Sequence, residues 1–149
     1  DKYNLEPPTM EQPQYNLFHR DNVEKDLAKL VAERGLGTTI WSPLSSGLLT
    51  GKYDQGIPTD SRLGQVEWLQ ELVLLEGRVE KVRALKSISD DLGCTRAQLA
   101  LAWAATHPHV STVITGASRV SQVHENLAAL DVIPKITAEV RSAIEATLA

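Results

Sequence analysis

Cysteine is nearly missing from this chain. Cys94 is the only one, which excludes an internal disulfide and a cysteine-based zinc site and fits a reducing, cytoplasmic setting. Placed just after a helix-ending glycine, Cys94 reads as buried and inert. No apolar run approaches the roughly 20 residues a membrane span needs. There is no surplus of positive charge: 15 Lys and Arg stand against 19 Asp and Glu, a net charge of −4. That balance carries no electrostatic footprint for nucleic acid or an anionic membrane. No repeat at a solenoid period and no low-complexity tract interrupts the chain. The four histidines, His19, His107, His109 and His124, have no metal-ligand spacing and read as surface or capping residues. His107 and His109 flank a proline at a helix end, where a cation suits the helix dipole. The chain opens Asp-Lys-Tyr-Asn-Leu, with neither Met nor signal peptide, as if cut inside a larger protein.

What is present is 149 residues at 42% hydrophobic content, enough for one domain with a real core. Residues 1–8 read as the frayed end of something upstream, closed by Pro7-Pro8. Residues 9–15 suggest a short strand and exit loop that Pro13 interrupts. Asp21 with Glu24 resembles a helix start, Val23, Leu27, Leu30 and Val31 follow at helical spacing, and Gly35 offers a left-handed stop, so the spacing predicts a helix over 22–34. The β-branched run 37–42 predicts a buried strand ending at Pro43. Residues 43–65 predict a long loop, a length that inside compact domains marks function or disorder. The stretch from Trp68 to Leu75 suggests a short helix. Val79, Val82, Leu85, Ile88 and Leu92 predict another, ended by Gly93. Thr95 and Gln98 form a capping box for a nearly all-apolar helix that stops at Pro108. A strand over 110–115, a turn over 116–118, a helix over 120–130 and a last helix over 138–148 after a Thr137 cap complete the order.

Strands alternating with helices imply parallel βαβ units. Three parallel strands cannot close a barrel, and an open sheet of three leaves apolar edges bare, so more of a longer chain or another polypeptide should complete it. In such folds the loops after the strand C-termini bind ligands. Those are Gln12 and its neighbours, Trp41 to Lys52, and Gly116 to Asn126. In the last set Gly116 allows close backbone approach, and Ser118 and Arg119 open a helix whose N-terminus suits a phosphate. Gln122, Glu125 and Asn126 share a helix face beside it, placed to read an adenine or ribose. By spacing alone, Ser118 reads sooner as a helix cap and Glu125 as a solvated charge. Trp41 would equally be a core tryptophan, and Lys52 and Arg62, taken alone, read sooner as solvated surface charges.

Three segments together are more specific. TMEQPQYN over residues 9–16, WSPLSSGLLTGKYDQGIPTDSRL over 41–63 and VSTVITGASRVSQVHENLAALDVIPK over 110–135 resemble the last three strand–loop units of the aldo-keto reductases. The ordered set WSPLxSG, GKY, a Ser-Arg pair and GASxxxQxxEN resembles the branch that contains the voltage-gated potassium channel β-subunits. The resemblance implies an α/β chain forming the C-terminal portion of a (β/α)8 TIM barrel, with NADP as cofactor and an aldehyde or ketone as substrate. It also implies a possible potassium channel partner, a homotetramer, and an N-terminal barrel half elsewhere. By position, Gln12 matches the glutamine on the nicotinamide carboxamide, and Trp41 the aromatic stacked on that ring. Ser42, Pro43, Leu44, Ser45 and Gly47 match the pyrophosphate loop, and Lys52 and Arg62 cationic contacts closing over the cofactor. Ser118 and Gln122, after Gly116, match contacts at the 2′-phosphate end, and Glu125 and Asn126 contacts at the adenine.

Two positions depart from that branch. Asp60 stands where the channel-subunit relatives have a tyrosine, and Arg119 is not a fixed feature, although a cation beside a 2′-phosphate favours NADP over NAD. The family's tyrosine acid and the lysine, aspartate and histidine that tune it come from earlier strands. None of Tyr3, Tyr15 and Tyr53 matches that tyrosine, so the expected catalytic set in this chain is empty, as is the expected metal set.

Overall fold

The computed structural model describes Tyr3 and residues 5–149. The expected frayed end over residues 1–8 therefore lies partly outside the described residues. The first strand, β1, is Met10–Glu11, and a single π-helical turn over Asn22–Asp26 leads into α1, Ala28–Arg34. Strand β2 is Gly37–Ile40, followed by a kinked 3-10 turn over Ser45–Thr50. Helices α2 (Arg62–Gln65), α3 (Glu67–Val73), α4 (Arg78–Asp91) and α5 (Arg96–Ala105) come next. Strand β3 (Thr112–Val113), α6 (Val120–Leu127), two short 3-10 turns and α7 (Ala138–Leu148) complete the order.

The three strands form one parallel sheet in the order β1-β2-β3, with Met10 opposite Gly37 and Ile40 opposite Val113. This is the open α/β sheet expected from the sequence, consistent with part of a (β/α)8 barrel. Side chains alternate across a strand, and only one face of this sheet is covered. Thr38 and Ile40 are buried and Val113 packs on the core, whereas Trp41, Thr112 and Ile114 stay exposed. The covering layer centres on α5, whose residues Leu99 to Ala104 are all buried, with α4 packed between it and α7. A groove of about 360 Å³ runs between α5, β3 and α6, lined by Leu101, Ala105, Val113, Val123, Leu127 and Leu130. A bare sheet face and an apolar groove are what an incomplete barrel leaves uncovered.

Where capping is local, the elements lie as the spacing predicts. Gly35 is left-handed, with its own N–H donating to Val31 O at 3.2 Å and that of Leu36 to Leu30 O at 3.3 Å, closing α1 with a left-handed glycine stop. Thr95 and Gln98 form both halves of the capping box, and Thr137 caps α7 by accepting from Val140 N–H. Elsewhere the expectations change. Asp21 is not a cap, because its own backbone is already helical (φ −57°, ψ −39°), and its carboxylate pairs instead with Lys25 at 2.8 Å. The single helix expected over 22–34 is thus a π turn plus α1, with Leu27 N–H reaching back to Asn22 O at 2.8 Å. The ladders of β1 and β3 are two residues each, since Pro13 has no N–H to extend the first. The loop over 43–65 carries the 3-10 turn and α2. The cap of α6 is Arg119, not Ser118, and a 3-10 turn over Ala128–Asp131 replaces the end of the helix expected to reach residue 130.

Candidate functional site

The parallel register brings the three strand exits side by side. Trp41 N–H donates to Pro13 O at 3.0 Å, and Tyr15 N–H donates to Trp41 O at 3.2 Å, so the chain beyond Gln12 runs beside the exit of β2. Ile114 N–H donates to Ile40 O at 2.9 Å, which places the approach to Gly116 on the other flank. Adjacent strands lie about 4.8 Å apart. Gln12, Trp41 and Gly116 therefore stand after neighbouring strand ends, and Gln12 and Trp41 are exposed there.

After Trp41 the backbone turns left-handed at three non-glycine residues, Ser42 (φ 55°), Ser45 (φ 48°) and Ser46 (φ 55°), and again at Gly47 (φ 91°). Such conformations cost about 1–3 kcal/mol each away from glycine and persist only where the surroundings hold them. The holding groups are identifiable. Tyr53 donates its hydroxyl to Ser46 O at 3.0 Å, and Thr50 donates its own to Gly47 O at 2.8 Å. Asn16, fully buried, donates from Nδ2 to Ser42 O at 2.9 Å. Arg96 fixes the base of the loop: it pairs with Asp54 at 2.7 Å and donates to Val82 O at 3.1 Å, with both charged side chains largely buried. Gly51 makes room for it, since a Cβ there would sit 1.8 Å from the Arg96 guanidinium. Pro43 and Ser45 are buried, Leu44 packs on the core, and Lys52 and Arg62 are exposed, Arg62 as the first residue of α2 behind the Ser61 cap.

On the β3 side Ser118 bonds the Gln122 side chain twice, through its backbone N–H at 2.7 Å and its hydroxyl at 3.1 Å. Ser118 is therefore not a helix cap but half of a clasp closing the turn before α6. Asn126 donates to Gly116 O at 3.5 Å, while Glu125 accepts at its backbone carbonyl from Gln98 at 3.2 Å and keeps its carboxylate exposed. Ser118, Gln122, Gly116 and Asn126 thus form one group, joined to the serine loop through the sheet.

With this geometry in place, the comparison with known proteins is decisive. The model of the Aldo/keto reductase family matches residues 3–149. The chain belongs to the aldo/keto reductase family. It is 49% identical over 148 residues to a probable voltage-gated potassium channel subunit beta of Arabidopsis thaliana, covering 97% of this chain and 45% of that protein. It is 48% identical over 151 residues to a protein of the same description from Oryza sativa subsp. japonica, covering 99% of this chain and 46% of that protein. A putative subunit of that kind from Schizosaccharomyces pombe is 46% identical over 151 residues, 99% of this chain and 44% of that protein. This aldo/keto reductase chain thus spans less than half the length of the curated relatives it matches.

The polar residues away from the strand exits are committed to structure. Tyr15 is buried, stacks on Trp103 with ring centres 5.1 Å apart, and donates to Glu24 at 2.7 Å. Burial first, and then Glu24, push its phenol far above the ordinary range, which disqualifies it as a proton donor near neutrality. Burial alone would raise Glu24, but bonds from Arg20 and Tyr15 outweigh it and hold the carboxyl below its ordinary value. His107 corrects the expectation of a helix-end cation. It is half-buried, Nδ1 accepts from His109 N–H at 3.2 Å, and burial lowers its pKa, so it is neutral in the fold. His109 lies with Nδ1 3.4 Å from Val23 O. Cys94 is only half-buried, with burial raising its thiol pKa. Among the described residues no group of three or more His, Cys, Asp or Glu side chains is placed to hold a metal ion, and no helix is long and apolar enough to cross a membrane.

The depressed His107 has a measurable consequence. Its folded pKa lies below the ordinary 6.5, so the unfolded chain takes up the proton first. The stability it contributes is full above pH 6.5 and is lost as pH falls through the folded value. His19, also lowered by burial and then by Arg78, adds in the same sense, and Glu24 extends the loss below 4.5. The urea midpoint is expected to stay level above about pH 7 and to fall below 6.5. His107→Gln, which keeps an acceptor for the His109 N–H, is expected to flatten the upper part of that fall. An unchanged slope would show that His107 does not titrate differently on folding.

Asn16, Ser46, Tyr53, Asp54 and Arg96 are site-building residues that sequence reasoning passed over. Asn16 acts across 26 residues and Arg96 across 42, beyond any local spacing rule. Asn16, Ser46, Tyr53 and Asp54 lie within the motif segments quoted above, but nothing in those motifs marks their roles.

Proposed function

We propose that this chain supplies the dinucleotide-holding part of an NADP(H)-dependent aldo-keto reductase that reduces aldehydes or ketones. The observation that carries the reading is the run of left-handed serines ending in Gly47 at the exit of the central strand. Successive turns of this kind aim backbone N–H groups into a concavity suited to phosphate. Gln12 then holds the nicotinamide carboxamide, donating and accepting through one amide. The exposed Trp41 ring stacks on the nicotinamide and selects its reactive face. Ser42, Pro43, Leu44, Ser45 and Gly47 wrap the pyrophosphate, and Lys52 and Arg62 close over it. With the Gln122 carbonyl oxygen engaged by Ser118, its amide hydrogens are left to donate to the 2′-phosphate, next to Arg119 and beside Gly116. Glu125 and Asn126 then address the adenine. The bound nucleotide would supply the hydride, and the acid that protonates the new alkoxide would come from the barrel portion these residues do not include. That portion would also cover the bare sheet face and the groove beside α6.

A second reading, favoured by the relatives' descriptions, is a channel-associated regulatory subunit, cytoplasmic and tetrameric, that binds NADP(H) with slow or no turnover. Two measurements on the purified full-length protein, with its remaining barrel portion, separate the cases. Tryptophan quenching should give NADP+ a dissociation constant at least about tenfold below that of NAD+, and Arg119→Ala should narrow the gap. Equal affinities would sink the NADP assignment. Turnover of a simple aldehyde with NADPH then supports the reductase, and co-purification of a potassium channel without turnover supports the regulatory subunit.

A further inference from the structure

Asn16 lies outside the residues assigned above, yet it is the fully buried polar side chain that touches the serine loop from another strand exit. Its amide has two separable jobs. Oδ1 accepts from Phe18 N–H at 2.9 Å and His19 N–H at 3.1 Å, inside a tight turn closed by His19 N–H on Asn16 O at 3.0 Å and Asn16 N–H on His19 O at 3.2 Å. That turn fixes the amide in place. Nδ2 points the other way and donates to Ser42 O at 2.9 Å.

The receiving carbonyl is where the loop begins. Ser42 is left-handed (φ 55°), and its oxygen also accepts from Ser45 N–H at 3.0 Å, the bond that closes the first turn. With Trp41 N–H on Pro13 O and Tyr15 N–H on Trp41 O, residues 13–16 bond every backbone polar group from the Trp41 amide to the Ser42 carbonyl except the Ser42 N–H. A serine left free would leave the left-handed region, since its Cβ crowds the following carbonyl there. We propose that Asn16 is a positioning residue for the cofactor loop: by donating to the Ser42 carbonyl it holds Ser42 left-handed, and so sets the path of Ser42 to Gly47 and the stance of Trp41. This inference rests on the reading of that loop as the pyrophosphate-holding element.

A substitution cycle on the purified full-length protein tests it. Asn16→Asp keeps the acceptor for the 16–19 turn but puts an oxygen against Ser42 O, and it is expected to weaken NADP+ binding about tenfold at pH 8. Ser42→Gly removes the need for the clamp, because glycine adopts positive φ without steric cost. The penalty of Asn16→Asp should therefore shrink to less than about threefold when both proteins carry Ser42→Gly. In the Ser42 background, lowering the pH should also restore affinity relative to wild type at the same pH, because a protonated carboxyl again donates to Ser42 O. A residue that merely stabilised the fold would give the same penalty in both backgrounds, and that result overturns the proposal, as does wild-type affinity in Asn16→Asp. Should Asn16→Asp fail to fold, Asn16→Ala enters the same cycle without the pH arm and is judged by the same ratio. Wild-type protein that does not bind NADP+ removes the cofactor reading and this inference together. Normal wild-type binding with an unchanged ratio removes the inference alone.

Discussion

Trp103→Ala is expected to cost about 5 kcal/mol of folding stability, as much as many domains possess. Trp103 has no exposed surface and sits where three parts of the fold meet. The Tyr15 ring stacks on it at an interplanar angle of 17°, and the Arg20 and Arg141 guanidinium carbons lie 5.2 and 5.9 Å from its ring centre. Arg141 also donates to Trp103 O at 3.2 Å, tying α7 to α5. Alanine would therefore open a large cavity, remove the platform for two cations, and loosen Tyr15 and Glu24 with it. Trp103→Phe is expected to cost far less, about 1–2 kcal/mol. It keeps an aromatic face for Tyr15, and it deletes an indole N–H that is buried with no hydrogen-bond partner among the described residues. Equilibrium urea unfolding of both variants checks the pair. A loss under about 2 kcal/mol for alanine would mean that the surroundings collapse onto the gap.

How much of this was legible beforehand follows the reach of each interaction along the chain. The capping box of Thr95 and Gln98, the Thr137 cap and the glycines 35 and 93 act within a turn or two, and their elements lie where the spacing predicts. The Asp21–Glu24 capping pattern fails because the Asp21 carboxylate has a competing partner. Lys25 stands four residues on and takes the carboxylate, while the Tyr15 and Arg20 bonds to Glu24 pin the first turn. For the candidate site, the residues came from an ordered family resemblance rather than from spacing. Their conformations could not. Serine has no intrinsic leaning to positive φ, so nothing in Ser-Pro-Leu-Ser-Ser-Gly announces that all three serines are left-handed. The forces that impose them come from Asn16 and Tyr53, and the loop's base is held by Arg96 far along the chain.

Gly47→Ala is expected to weaken NADP+ binding about a hundredfold, equivalent to about 2.8 kcal/mol of added strain and lost contacts. Two effects act together. The backbone at Gly47 has φ 91°, a conformation any side chain resists at about 1–2 kcal/mol. The added Cβ would also lie 3.0 Å from Lys52 Cε, 3.2 Å from Lys52 Nζ and 3.3 Å from the Tyr53 hydroxyl. Lys52 can swing its flexible end away, at the expense of the cation proposed to close over the phosphates. Tyr53 cannot follow, because it is buried and its hydroxyl holds Ser46 O. The loop must therefore shift, and the left-handed run shifts with it. Gly56→Ala separates strain from contact. Gly56 also has positive φ, 116°, but a Cβ there would meet nothing within 4 Å. That variant should lose stability of the same order and keep its affinity for NADP+. Titration by tryptophan quenching, alongside thermal melting of both proteins, reads the two effects apart. If Gly47→Ala binds NADP+ within about threefold of wild type while melting lower, the loop carries strain without gripping phosphate.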